Sequence, residues 1–215
     1  AATPVIKTYG GAVTVDEWKA HNLLTYSEEF DNAAWTKSQS TITADSITNP
    51  VDGAITTDKL TGSGTGRNIM YQTTSSSTDK ILSVFVKAGT NDFVQYYTDS
   101  STADYANFDL ANGVVNNAGT TSTAGIVDLG SGWYRCWMTI AAAAATNVVM
   151  NIVTSLSAAR AEQAATTNSI YIYGAQLTKG SQLLPYTATT GTAVAATLKG
   201  VPLGLLIEEG RTNLC

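Results

Sequence analysis

The sequence predicts an all-β fold, an antiparallel two-sheet β-sandwich of jelly-roll-like form with an extended N-terminal arm and a C-terminal tail. Three observations predict it. Apolar residues recur with period two through most of the chain, the pattern of strands with one buried face. About ten short stretches of this kind follow one another at the spacing typical of sandwiches and barrels. Charged residues make up only 13% of the chain, so Thr, Ser, Asn and Gly supply the polar surface. That composition suits strands and tight turns and is poor for helices. A jelly roll is the commonest such sandwich that also hides its edges.

The elements follow in order. Residues 1–20 read as an arm of mixed polar and apolar content without clear alternation. The body, residues 21–186, opens with "NLLTYS", then "TITADSI", "AITTDKLT" and "RNIMYQT", each read as a strand. "DKILSVFVKA" sets Leu82, Val84 and Val86 against Ile81, Ser83, Phe85 and Lys87, the mark of a half-buried strand. With "FVQYYT" and "DYANFDL" it reads as a meander. Asn112-Gly113 is a strong turn signal. "GIVDLGSGWYRCWMTIA" supplies a short strand, a turn and a long strand, with Tyr134, Cys136, Met138 and Ile140 on the expected core face. "TNVVMNIVTS" is a strand, and "NSIYIYGAQLTKG", apolar on both faces, belongs at the centre of its sheet. Leu156 to Asn168 is the best helical candidate, with a loop as the equal alternative. Residues 187–215 read as an extension for assembly or as the start of a next repeat.

Bulk properties exclude several functions. A net charge of -5 with scattered basic residues disfavours a nucleic-acid partner, which needs clustered Lys and Arg. No apolar run is long enough for a membrane-spanning helix, and the first residues lack the pattern of a signal peptide. Asn-x-Ser/Thr sites are absent, which disfavours a glycosylated secretory history. Two cysteines make no disulfide framework. Cys136 reads as a small buried hydrophobe, and Cys215 leaves an intermolecular bridge open.

Catalytic patterns are missing. His21, the one histidine, has no nucleophile elbow or acid partner at motif spacing. "TGSGTGRN" precedes a strand where a phosphate cradle needs a helix, so it reads as a turn. Glu28-Glu29 and Glu208-Glu209 are adjacent, and neighbours on a strand diverge where glycoside hydrolysis needs carboxyls that converge. No enzyme and no cofactor are therefore expected. Calcium is the open case, with "NPVDG" (Asn49 to Gly53) and Asp58 as oxygen donors but no EF-hand spacing.

Aromatic residues remain. Trp133, Arg135 and Trp137 fall on the face opposite the expected core, and Tyr97 and Tyr105 bracket a nearby turn. Exposed rings stack on sugars while Arg, Asn and Asp bond the hydroxyls, so these five are the candidate glycan-binding residues. The competing reading is a second core under the arm or tail, or a subunit interface.

The blocks "NLLTYSEEFDNAAWTKS", "DGAITTDKLT", "LSVFVKAGT", "FDLANGVV", "GWYRCWMTI" and "IYIYGAQLTKGS" resemble the carbohydrate-binding-module-like sandwich domain of tailed-bacteriophage virion surface proteins, over roughly Asn22 to Pro185. The resemblance implies a virion structural protein displayed on the particle surface, as a capsid decoration or a head-fibre or tail-appendage subunit. Its partners would be other virion proteins and sister subunits, in a homo-oligomer such as a trimer. The alternative is a carbohydrate-recognition module of a tail fibre or receptor-binding protein that contacts host surface polysaccharide. In that family a segment like "GLLIEEGRTNL" stands just before "LLTYSEEFDNAAW", whereas here it follows the body. Two accounts are open: a second repeat begins there, or the tail of one subunit serves the next as an added strand. Leu203, Leu205, Leu206, Ile207 and Arg211 are the candidate assembly residues.

Overall fold

A computed structural model describes residues 5–9, 12–16, 21–76, 78–119, 122–141, 143–180, 182–194 and 200–202. The strands in chain order are β1 (Val5–Tyr9), β2 (Ala12–Asp16), β3 (Thr36–Ser38), β4 (Ser40–Thr48), β5 (Ile55–Gly62), β6 (Asn68–Ser76), β7 (Lys80–Ala88), β8 (Phe93–Thr98), β9 (Tyr105–Asp109), β10 (Val114–Asn116), β11 (Ala124–Gly130), β12 (Trp133–Ile140), β13 (Ala143–Ile152), β14 (Ser169–Lys179) and β15 (Gly200–Pro202). Sheet I runs β10-β9-β8-β13-β6-β3 and sheet II runs β11-β12-β7-β14-β5-β4, all antiparallel. The expected two-sheet sandwich is the fold observed. Among the described residues no helix is long and apolar enough to cross a membrane.

Alternation explains the core. Leu82, Val84 and Val86 of β7, Cys136, Met138 and Ile140 of β12, and Ile170, Ile172 and Leu177 of β14 face Met70, Val94, Tyr96, Phe108, Val148 and Met150 of sheet I. Each such aliphatic or aromatic side chain contributes about 1.5–3 kcal/mol by leaving water. Cys136 is a buried free thiol, and burial pushes its pKa well up, so it acts as a small hydrophobe. β14 sits between β7 and β5, the interior place its two apolar faces require. Ser131 and Gly132 both have positive φ, 55° and 77°, which is the backbone of a tight β11–β12 hairpin turn.

Four readings change. β7 does not continue into a meander: it lies in sheet II, while β8 and β9 pair in sheet I. Period two assigns faces, not partners, and "GTND" carries the chain across the core. β7 is also buried on both sides, because Phe85 packs with Trp133 and Tyr173 in a second cluster on the outer face of sheet II. "NLLTYS" is a run of bends and turns rather than a strand. The arm, by contrast, forms two strands, with β1-β2-β15 as a separate three-stranded sheet.

The segment after β13 is no helix but a strap across the outer face of sheet I. Asn107, Gln95 and Asn151 stand side by side on β9, β8 and β13. Asn107 Nδ2 donates to Leu156 O (3.0 Å) and Ala158 O (2.8 Å), Gln95 Nε2 to Ala159 O (3.0 Å), and Asn151 Nδ2 to Glu162 O (3.0 Å). Ala161 N returns a bond to Gln95 Oε1 at 2.6 Å. Sheet amides thus satisfy a backbone that has no secondary structure of its own.

On sheet II, residues 22–27 take over from β5 beside the second half of β14. Leu23 N donates to Leu177 O and Ala175 N to Ser27 O, at 2.8 and 2.9 Å. Residues 189–194 lie against the far side of this strip, with Tyr26 N bonded to Thr190 O (2.7 Å) and Ser27 N to Thr189 O (3.0 Å). The first part of the C-terminal extension is therefore bound onto the body. Leu203, Leu205, Leu206, Ile207 and Arg211 lie outside the described residues.

Candidate functional site

The five sequence-predicted glycan residues divide between two outer faces with the core between them, so they do not share a surface. On sheet II, Trp133 is 5% exposed and packed with Phe85 and Tyr173. Tyr186, from the segment after β14, meets Phe85 edge-on at 5.3 Å and Tyr173 at 6.0 Å. Arg135 donates to Ser83 Oγ (2.9 Å) and Gln176 Oε1 (2.6 Å), with its guanidinium 5.3 Å over the Phe85 ring. Burial pulls its pKa down to about 10. Trp137 is half-buried, and its ring lies so close to Gly125 that a Cβ there would meet it at 2.5 Å. The expectation that these residues stand exposed is corrected: Trp133 and Arg135 belong to a second cluster on the outer face of sheet II, joined by Tyr186.

On sheet I, Tyr97 and Tyr105 are cross-strand partners. Tyr97 is 1% exposed, with the Arg160 guanidinium 4.8 Å over its ring and Arg67 Nη1 3.4 Å from its hydroxyl. Arg160 also bonds Thr98 O and lies 3.9 Å from Asp99. The strap therefore occupies the ring face a sugar would need, and Tyr105 alone of the pair remains half-exposed.

The residues raised for calcium are engaged locally. Asn49 Oδ1 accepts Val51 N and Asp52 N, its Nδ2 donates to Asp52 Oδ1 (2.7 Å), and Asp52 Oδ1 caps Ala54 N (2.9 Å). Among the described residues no cluster of three or more His, Cys, Asp and Glu is placed to hold a metal ion.

A concavity lies elsewhere, between the β4–β5 hairpin and the C-terminal segment. It measures about 450 Å³ and is lined by Glu28, Glu29, Asp45, Thr56 and, from residues 188–194, chiefly Thr189, Thr190 and Thr192. Tyr173 and Tyr186 both donate to Glu28 Oε1, at 2.7 and 2.9 Å, and Ser27 Oγ lies 3.0 Å from the Tyr186 hydroxyl. Burial and the neighbouring Glu28 carboxylate hold both phenols well above their ordinary pKa. Beside the groove, Asp58 is buried and accepts Phe30 N (2.9 Å) and Asp45 N (3.2 Å). Its pKa is pushed up to about 6, chiefly by burial, against the pull of those two bonds.

Chemically, the groove offers carboxylate acceptors, of which Glu28 is held by two phenols, and threonine hydroxyls, the lining that binds hydroxyl-rich or cationic groups and repels anions. Sequence reasoning met Glu28 and Glu29 only as an adjacent pair. The partners of Glu28 stand 145 and 158 positions away, at Tyr173 and Tyr186, and nothing in the local pattern announces them.

The fold and site together define an all-β sandwich with a polar groove. No family model matches the chain, and no curated protein resembles it in sequence. Among solved structures it is similar to the enzymatically active domain of tailspike protein 4 from bacteriophage CBA120, at 14% identity and a TM-score of 0.45, over 74% of this chain and 21% of that one. It is also similar to the CBM22-2 xylan-binding domain of Paenibacillus barcinonensis Xyn10C, at 10% identity and a TM-score of 0.43, over 75% of this chain and 99% of that one. A third similarity is to the CBM22-1 and GH10 modules of Clostridium thermocellum xylanase 10B with xylohexaose, at 12% identity and a TM-score of 0.41, over 78% and 29%.

Proposed function

We propose that this chain is a non-enzymatic structural subunit of a bacteriophage virion surface, a capsid decoration or a head-fibre or tail-appendage subunit, held through its arm and tail. One observation carries the reading. The entry and exit of the sandwich meet at Asn22 and Val194, and beyond them β2 and β15 pair again. The segments that enter and leave the body thus run side by side as far as β2 and β15, which suits a head displayed from a single attachment sheet. The resemblance of the sequence blocks points the same way, and sister subunits in a symmetric oligomer such as a trimer would multiply weak contacts. Cryo-electron microscopy of intact particles tests this. Arm and tail buried against other virion proteins would support it, and a chain free of particle contacts at both ends would sink it.

A second reading, recognition of a host surface glycan, has its own observation in the groove at Glu28. Three carboxylates there favour a neutral or amino-bearing sugar over an anionic one. Glycan-array binding by the wild-type chain, abolished in Thr190→Ala with Glu29→Ala, is the expected outcome. Equal binding by wild type and variant removes the groove from consideration.

A further inference from the structure

We infer that strand β11 is the acceptor for an added strand, and that its occupant is the Leu203–Ile207 segment of a second copy of this chain.

The four outer edges of the sandwich are not equivalent. β3 and β10 are three residues long. β4 is longer but broken, with Asp45 at φ 52° and register shifts on both sides of Ile47. β11 pairs regularly from Ala124 to Asp128, shifts register only at its end between Asp128 and Gly130, and has β10 close by, but among the described residues β12 is the one strand that pairs with it. Exposed sheet edges carry unpaired N–H and C=O groups, and proteins that stay single guard them with lysine, proline or distortion. "AGIVDLG" contains neither lysine nor proline. Its single acid, Asp128, is turned back to cap Gly130 N at 2.8 Å.

The side chains of this edge are also apolar where water should be. Val127 is 41% and Leu129 44% exposed, and Val114 on the neighbouring β10 edge is 44% exposed. Val127 heads a cross-strand row that continues through Arg135 and Phe85 to Tyr173. A strand added at β11 would lay its own side chain beside Val127 and lengthen that row.

The sequence contains a segment patterned for this task. In "LGLLIEE", Leu203, Leu205 and Ile207 alternate onto one face of an extended strand, and Glu208-Glu209 end the apolar run. It follows directly on β15, whose Pro202 pairs with Thr14 of the arm sheet. An arm sheet presenting this strand to a neighbouring sandwich joins copies by main-chain bonds, with the apolar face giving specificity. Nothing in this step depends on where in a particle, or whether in one, the protein is placed.

The purified 215-residue chain tests it. Light scattering reads the mass of wild type, of the surface variant V127K/L129K and of the tail variant L205D/I207D, while hydrogen exchange reads the amides of residues 125–129. Circular dichroism checks that each variant is folded. The expected result is an oligomer for wild type, monomers for both variants, and β11 amides that exchange roughly ten-fold or more faster in L205D/I207D. A wild-type monomer, or an oligomer that survives both variants, overturns the inference. So does β11 exchange that L205D/I207D leaves unchanged. A monomer whose β11 protection is nonetheless lost in L205D/I207D assigns the strand to the chain's own tail and equally overturns exchange between copies.

Discussion

Asn22 and Val194 exchange two main-chain hydrogen bonds, each 2.8 Å long, although 172 positions separate them. The Asn22 side chain completes the junction: Nδ2 donates to Ala175 O and Thr187 O, both 2.9 Å, and Oδ1 accepts Leu24 N (3.1 Å) and Leu177 N (3.0 Å). All four of its hydrogen-bonding positions are used, at a fully buried site where β14 bulges.

Asn22→Ala should therefore destabilise the fold by about 3 kcal/mol, because it leaves buried main-chain groups of β14 and of the C-terminal segment unpaired. Urea unfolding measures it. A loss no larger than that of an exposed substitution such as Asn117→Ala would show that the junction bears little of the stability.

Gly174 has φ +57°, and a Cβ there would stand 2.8 Å from Phe85 and 2.9 Å from Tyr186. Gly174→Ala combines a left-handed backbone with a clash against two packed rings, for an expected cost of about 2–4 kcal/mol. Gly53→Ala, at φ +79° with open space around it, bears the backbone part alone, about 1 kcal/mol. Equal melting temperatures for the two variants would contradict the packed outer cluster.

Asp58 gives a pH signature. Its folded pKa, about 6, lies above the ordinary 3.8, so the folded state binds the proton more tightly than the unfolded one. Below both values the group costs nothing. As pH rises between them the unfolded state releases its proton first, so stability falls through that window and levels off above it. Asp58→Asn should flatten the fall. Urea midpoints collected from pH 4 to pH 7 on both proteins check it, and parallel curves would refute it.

Glu28→Ala removes the shared acceptor of Tyr173 and Tyr186. Tyr173 then loses its acceptor beside an apolar cluster while Tyr186 keeps Ser27 Oγ, and the expected loss is about 1–2 kcal/mol. The same variant should ease ionisation of both phenols, since the carboxylate that opposes it is gone. Spectrophotometric titration of tyrosine absorbance reads this as an earlier alkaline rise, and an unshifted curve would count against the network.

Strands such as β7, β12 and β14 were legible because Leu82-Val84-Val86 and Cys136-Met138-Ile140 advertise a buried face. Their partners were not, since alternation carries no information about which sheet receives a strand. Two further features escaped for one physical cause. The strap at residues 156–162 and the cover at 185–194 have no repeating pattern, because their order comes from the amides of Asn107, Gln95 and Asn151, from the rings of Phe85 and Tyr173 around Tyr186, and from the main chain of Asn22, Tyr26 and Ser27. Each cover buries a face that would otherwise count as exposed, which is why Trp133 and Tyr97 read as surface residues. The groove at Glu28 gathers side chains from four distant segments, so it becomes visible only in the folded chain.

Because its entry and exit are bonded neighbours, the sandwich has a defined response to tension. A pull on arm and tail meets the β2–β15 ladder first and then the two bonds of Asn22 and Val194, which open in sequence, like a zip rather than in shear. Peeling then proceeds through Thr190 and Thr189 towards Tyr186, releasing extensible length while the six-stranded layers and their shared core stay off the line of force. Tethered through arm and tail, the body would yield along this seam before its shared core is loaded.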